Sequence, residues 1–117
     1  MSPEKWIFLV ALVASVPLAR ASTWTAAEAK NHIGEHASVC GKVAGEHMAT
    51  SSRGTPTFIN LDAAYPNQIF TILIWGDDRP NVGQLPQEGT KVCATGEIRD
   101  YHGVPEIVVR SKSQLSQ

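Results

Sequence analysis

Val39-Cys40-Gly41-Lys42-Val43 and Val92-Cys93-Ala94-Thr95-Gly96-Glu97-Ile98 carry the two cysteines of this chain. Each stretch sets a small or β-branched residue at every second position, and each sets its Cys on the opposite parity. Successive side chains of a strand point to opposite faces. When Val39, Gly41 and Val43 face inward on one strand, and Val92, Ala94, Gly96 and Ile98 on a neighbour, Cys40 and Cys93 turn outward together. In a non-hydrogen-bonded antiparallel pair the Cα atoms stand about 4.5 Å apart, at the near edge of disulfide geometry. A Cys40–Cys93 disulfide between adjacent strands is therefore expected.

Working outward, alternation and β-branched content predict strands at 37–45, 57–62, 69–76, 91–99 and 105–110. Thr25-Ala26-Ala27-Glu28 fits a capping box and opens a short helix to about Ile33, where Gly34 is a natural stop. Met48 to Gly54 reads as a polar loop, and Tyr65-Pro66-Asn67-Gln68 as a turn. Asp77 to Glu88, with Pro80, Gly83 and Pro86, is an irregular connection with room for one helical turn. Asp100-Tyr101-His102-Gly103 closes a hairpin, and the polar tail after Arg110 is expected to fray. The result is an all-β domain of five short strands with the long break between the third and fourth. That is the order of the OB-fold, a five-stranded Greek-key barrel whose first and fourth strands are antiparallel neighbours. Gly41 and Gly96 suit the tight coiling of a small barrel. An immunoglobulin-like sandwich needs about seven strands.

Residues 1–21 read as a signal peptide: Lys5, an apolar run from Trp6 to Ala19, and Ala19-Arg20-Ala21 as an A-x-A cleavage pattern. About 13 apolar residues are too few to cross roughly 30 Å of hydrocarbon, so no stable membrane insertion is expected after cleavage. Residues 22–117 then form one periplasmic or secreted domain, in a compartment where a lone cysteine pair reads as a disulfide. Removing Glu4, Lys5 and Arg20 from ten basic and eleven acidic residues leaves eight and ten, a net charge of −2 with His neutral. Phosphate neutralisation supplies most of the affinity of strong nucleic-acid binders, and this balance disfavours a tight one.

Val39 to Val43, Pro56-Thr57-Phe58-Ile59-Asn60-Leu61-Asp62, Tyr65-Pro66-Asn67-Gln68, Ile74-Trp75-Gly76-Asp77-Asp78-Arg79, Val92 to Gly96 and Pro105-Glu106-Ile107-Val108-Val109 together resemble the small exported bacterial OB-fold proteins. Such proteins are usually labelled nucleic-acid-binding or DNA-binding by fold. The resemblance runs over nearly the whole of 22–117 and implies the barrel and a binding role. It brings no catalytic residue with it, and function does not follow from fold.

An OB-fold binds single strands by stacking bases on aromatics and following the backbone with cations. The third strand divides into Phe70/Ile72/Ile74 and Thr71/Leu73/Trp75, and only one set faces the core, so either Phe70 or Trp75 reaches the surface. Trp75, beside Arg79, is the foremost stacking residue, with core capping as its other reading. Phe58 shares the parity of Asn60 and Asp62, which points it outward. Tyr65 and Tyr101 lie in turns and offer contacts there, or pack on their own loops. Lys42, on the outward parity of Cys40, and Arg99, at the end of the fourth strand, complete a weak groove unless they are simply solvated.

Metal, cofactor and enzyme readings find little support. His32 and His36 flank Gly34, no third ligand is fixed, and Glu35 is misplaced for the zinc-protease pattern. Asp77, Asp78 and Arg79 hold the residue types of a thermonuclease without its motif, and no nucleophile triad, phosphate loop or cofactor fingerprint occurs. Two functions remain: weak binding of single-stranded nucleic acid or another oligomeric anion, and an envelope-stress module that binds a protein or small ligand. A positive groove with two exposed aromatics favours the first, and an acidic or bare face the second.

Overall fold

The computed structural model describes residues 22–117; the signal peptide expected over 1–21 lies outside them. Eight strands follow in chain order: β1 (Thr23–Thr25), β2 (His36–Met48), β3 (Thr57–Leu61), β4 (Phe70–Ile74), β5 (Lys91–Glu97), β6 (Arg99–Tyr101), β7 (Val104–Val108) and β8 (Leu115–Ser116). They form one mixed sheet in the order β6-β7-β4-β3-β2-β5-β8, with β1 parallel to β2.

β2 organises the sheet because its halves serve different neighbours. His36 to Lys42 pair antiparallel with β5, from His36↔Glu97 to Lys42↔Lys91. Beyond Lys42 the strand pairs with β3, and the register slips between Val43↔Leu61 and Gly45↔Asn60. This bulge at Ala44 exchanges the two faces of the strand. Val43 is buried in the core, whereas His47, which shares its parity in sequence, stands opposite Phe58 on the outer face.

The alternation read from sequence sets the core. Val39 and Val43 of β2, Ile59 and Leu61 of β3, Phe70, Ile72 and Ile74 of β4, and Val92 and Ala94 of β5 are all buried in one cluster. Phe70 is therefore the core member of the β4 alternatives, and truncating it to Ala would cost about 3–5 kcal/mol. A Cβ on Gly96 would come within 2.8 Å of Ile107 Cγ2, so only glycine lets β5 and β7 approach this closely. Cys40 and Cys93 stand directly opposite in the β2–β5 register and form the expected disulfide, with Cα atoms 4.0 Å apart.

The β-rich class holds, and three expectations are corrected. The sheet has eight strands rather than five and is open: β7 pairs parallel with β4, and no ladder joins β7 to β5. Instead the Gln114 amide nitrogen spans that seam, donating to Thr95 O at 3.0 Å and Val108 O at 3.1 Å. The tail is consequently not frayed. A 3-10 turn at Lys112–Gln114 leads into β8, which pairs with β5. The N-terminal helix shrinks to a 3-10 turn at Ala29–Asn31. The capping box does form, with Thr25 N donating to Glu28 Oε1 and Glu28 N to Thr25 Oγ1. The segment ends after that single turn, with Gly34 at positive φ two residues after His32 and Trp24 stacked on His32 at 3.6 Å.

The connection after β4 carries its helical turn as α1 (Arg79–Val82). His102 and Gly103, both at positive φ, make the tight hairpin between β6 and β7. No helix among the described residues is long and apolar enough to cross a membrane.

Candidate functional site

The outer faces of β3, β4 and β7 form the floor of a cleft of about 860 Å³. A row of polar side chains crosses this floor in register: Asn60 opposite Thr71, Thr71 opposite Glu106, and Glu106 opposite Arg99. Asn60, Thr71 and Glu106 are 4%, 6% and 2% exposed. Three polar residues of low exposure thus lie side by side beneath an open cleft.

The walls come from strand ends and loops. Phe58 and His47 stand at one end, Tyr65 and Gln68 come from the turn after β3, and Tyr101 and His102 from the β6–β7 hairpin. Tyr101 and His102 meet edge to face at 4.4 Å. The Gln68 Oε1 is buried without a hydrogen-bond partner. No Lys or Arg lines the cleft. Burial pushes the Glu106 carboxyl above its ordinary range, and the nearby Arg99 charge opposes that shift.

The structure thus gathers three of the seven ligand residues read from sequence, Phe58, Tyr65 and Tyr101, and sets Arg99 at the border through its pairing with Glu106. The other three stand elsewhere. Trp75 is 39% exposed but lies beyond the cleft, its ring against the backbone of Gly54, where a Cβ would fall 2.9 Å from Trp75 Cε3. It is not part of the core cluster and stands apart from the cleft lining.

Arg79 belongs to the opposite face, where its Nη1 donates to the buried Thr57 Oγ1 at 2.8 Å. Its charge also acts on Glu46, whose carboxyl burial pushes up, against the pull of Arg79 and with the push of Glu88. Lys42 borders a separate shallow depression with Asp62 and Glu88, and its backbone N–H donates to Asp62 Oδ1. The cations and aromatics of the expected groove are therefore not one surface.

Sequence reasoning passed over Glu106, Thr71, Gln68 and His47, and named Asn60 only as a guide to the orientation of Phe58. A signal for Glu106 was present, since an acid between Pro105 and Ile107 in an apolar strand has to be accommodated. His47 gave none, because its orientation depends on the bulge. The histidines considered for zinc are also apart: His32 binds Glu35 Oε2 at 2.9 Å, and His36 pairs across to Glu97. Among the described residues no group of His, Cys, Asp and Glu is placed to hold a metal.

No protein-family model matches the chain, and a search of curated proteins finds no match.

Proposed function

We propose that this chain is an exported, non-catalytic binding module of the OB-fold type, and that its ligand site is the outer-face cleft. The strand order supports the architectural part. The meander β2–β3–β4, the parallel pairing of β7 with β4 and the position of β5 on the other side of β2 follow the OB-fold sequence of neighbours, with Gln114 standing in for the closing ladder. The disulfide supports an oxidising compartment.

The observation that carries the functional part is the buried polar row Asn60–Thr71–Glu106 under aromatic walls. Such a site suits a small ligand, or one side chain of a partner protein: a flat or apolar body is held by the walls, and polar atoms are read by the floor. Residues that perform bond chemistry are not needed for this role.

Single-stranded nucleic acid is the second reading, favoured by Phe58, Tyr65 and Tyr101 around one cleft. A stacked base is worth about 1–3 kcal/mol. The phosphates, however, would meet no Lys or Arg in the cleft lining and only Arg99 at its border.

The two readings separate in one titration, with amide shifts recorded on isotopically labelled protein. Small aromatic probes should shift Asn60, Thr71 and Glu106, and Tyr101→Ala should weaken them. A thymidine oligonucleotide should bind no better at low than at moderate salt. Steeply salt-dependent oligonucleotide binding would select the nucleic-acid reading. Probe shifts confined to other surfaces would remove the cleft from the function.

A further inference from the structure

We infer that the cleft selects an organic cation, a primary ammonium or a guanidinium, with Glu106 as its counter-charge and Phe58, Tyr65 and Tyr101 as its walls. This rests on the cleft being the ligand site and adds the chemistry of the ligand.

Glu106 is the starting point. At 2% exposure it lies on the cleft floor. A buried carboxylate is costly unless an opposite charge and hydrogen bonds answer it. Among the described residues the only ion pair within 4.0 Å is His32–Glu35, so Glu106 has no such partner. Arg99, opposite it on β6, is solvent-exposed, and its effect on Glu106 acts through space rather than by contact.

The surrounding groups point the same way. Thr71 stands next to the carboxylate in the row and Asn60 one strand further on, both with oxygens able to accept hydrogen bonds. Gln68 Oε1, lining the same cleft, is an acceptor without a donor. An ammonium brings three donors and a guanidinium five. Phe58, Tyr65 and Tyr101 line the same cleft, and an aromatic ring attracts a cation placed over its face. A phosphate or carboxylate placed here would face Glu106 in a cleft whose lining holds no Lys or Arg, the exposed Arg99 standing only at the border. A neutral ring would stack on the walls and leave the carboxylate unanswered.

The titratable groups facing this position are His47 from β2, Tyr65 from the turn after β3, Tyr101 and His102 from the hairpin, and Arg99 from β6. Acidification protonates Glu106, and that change disfavours a bound cation. Affinity for a cation should therefore fall with pH, and the part of that fall owed to Glu106 should vanish in Glu106→Gln.

The test uses three probes of one shape and different charge: benzylammonium, benzyl alcohol and benzoate, titrated into labelled protein at neutral pH. Benzylammonium should shift the Asn60, Thr71 and Glu106 amides and bind about tenfold more tightly than benzyl alcohol, with benzoate weakest. In Glu106→Gln, whose spectrum reports its fold, benzylammonium should fall to the level of benzyl alcohol. Benzyl alcohol or benzoate binding in the cleft as tightly as benzylammonium would overturn the cation assignment and leave the cleft as the site. So would Glu106→Gln without effect. Absence of any cleft shift with all three probes would overturn the cation assignment and the cleft reading together.

Discussion

The Gln114 side-chain nitrogen donates to the Thr95 carbonyl oxygen at 3.0 Å, across the edge at which the sheet does not close. Its second bond, to Val108 O, reaches the facing strand, and its Oε1 accepts from Arg110 N at 2.8 Å and Ser111 N at 3.3 Å. One amide therefore satisfies backbone groups on β5, on β7 and in the segment that follows, where a barrel would have a ladder.

Gln114→Ala should uncouple the seam. It leaves two carbonyls and two amide groups to find water, at about 1–3 kcal/mol for the bonds together. Urea unfolding measures the loss. Hydrogen exchange should locate it, with Arg110 and Ser111 amides exchanging faster and the β2–β3 ladder unchanged.

Reducing the Cys40–Cys93 disulfide should cost about 4 kcal/mol by the chain-entropy relation, an upper figure because it treats the reduced unfolded chain as featureless. The two residues are 53 apart in sequence, so the closed loop holds most of the core strands. Comparison of denaturation midpoints with and without reductant checks the magnitude. Two free thiols in the unreduced, denatured protein would refute the bond.

Trp75→Ala should reduce stability by about 1–3 kcal/mol through lost packing on Gly54, while binding of cleft probes stays unchanged. Tyr101→Ala should do the reverse, since Tyr101 is exposed and lines the cleft. Thermal unfolding together with amide-shift titration of both variants gives the comparison.

These contrasts show how far the sequence could be read. Parity within two short segments showed the inward faces of β2 and β5 and the shared outward side of Cys40 and Cys93, and the Thr25–Glu28 spacing showed the capping box, because each pattern is read over a few neighbouring residues. The cleft depends on longer relations. The Ala44 bulge reverses the orientation of His47, and Glu106 meets Thr71 only through a parallel pairing of distant strands. Arg79 reads as a ligand residue by type, yet its helical turn aims it at Thr57. The tail after Arg110 is polar, and nothing local to it reveals that Gln114 has two carbonyls to meet.

Glu106→Gln should raise stability at neutral pH. The folded state holds this carboxyl above its ordinary value, chiefly by burial, so its ionisation disfavours folding as pH rises through the raised value. The amide escapes that cost. The advantage of the variant should shrink on acidification, once the wild-type group is protonated in both states. Thermal melts of both proteins across the acid range follow the difference, and a constant difference would show that the ionisation of Glu106 is not its source.

Glu35 should behave with the opposite sign. The Trp24 indole N–H, ahead of the His32 contact, holds its carboxyl below the ordinary value. Its contribution is present above the unfolded value and is lost as pH falls through the folded one. Glu35→Gln should therefore flatten the acid limb of the stability profile and loosen the Trp24–His32 stack, which Trp fluorescence reports.

The disulfide also divides the cleft between two covalently different parts of the molecule. Phe58, Asn60, Tyr65 and Thr71 lie inside the ring closed by Cys40 and Cys93, while Tyr101 and Glu106 hang on an arm outside it. The oxidised chain is in this sense a lasso whose loop carries one wall and whose free end carries the other. Only noncovalent contacts hold the arm to the ring, among them the β4–β7 pairing and the buried Ile98, Ile107 and Val109, and a ligand gripping both would act as the knot between them.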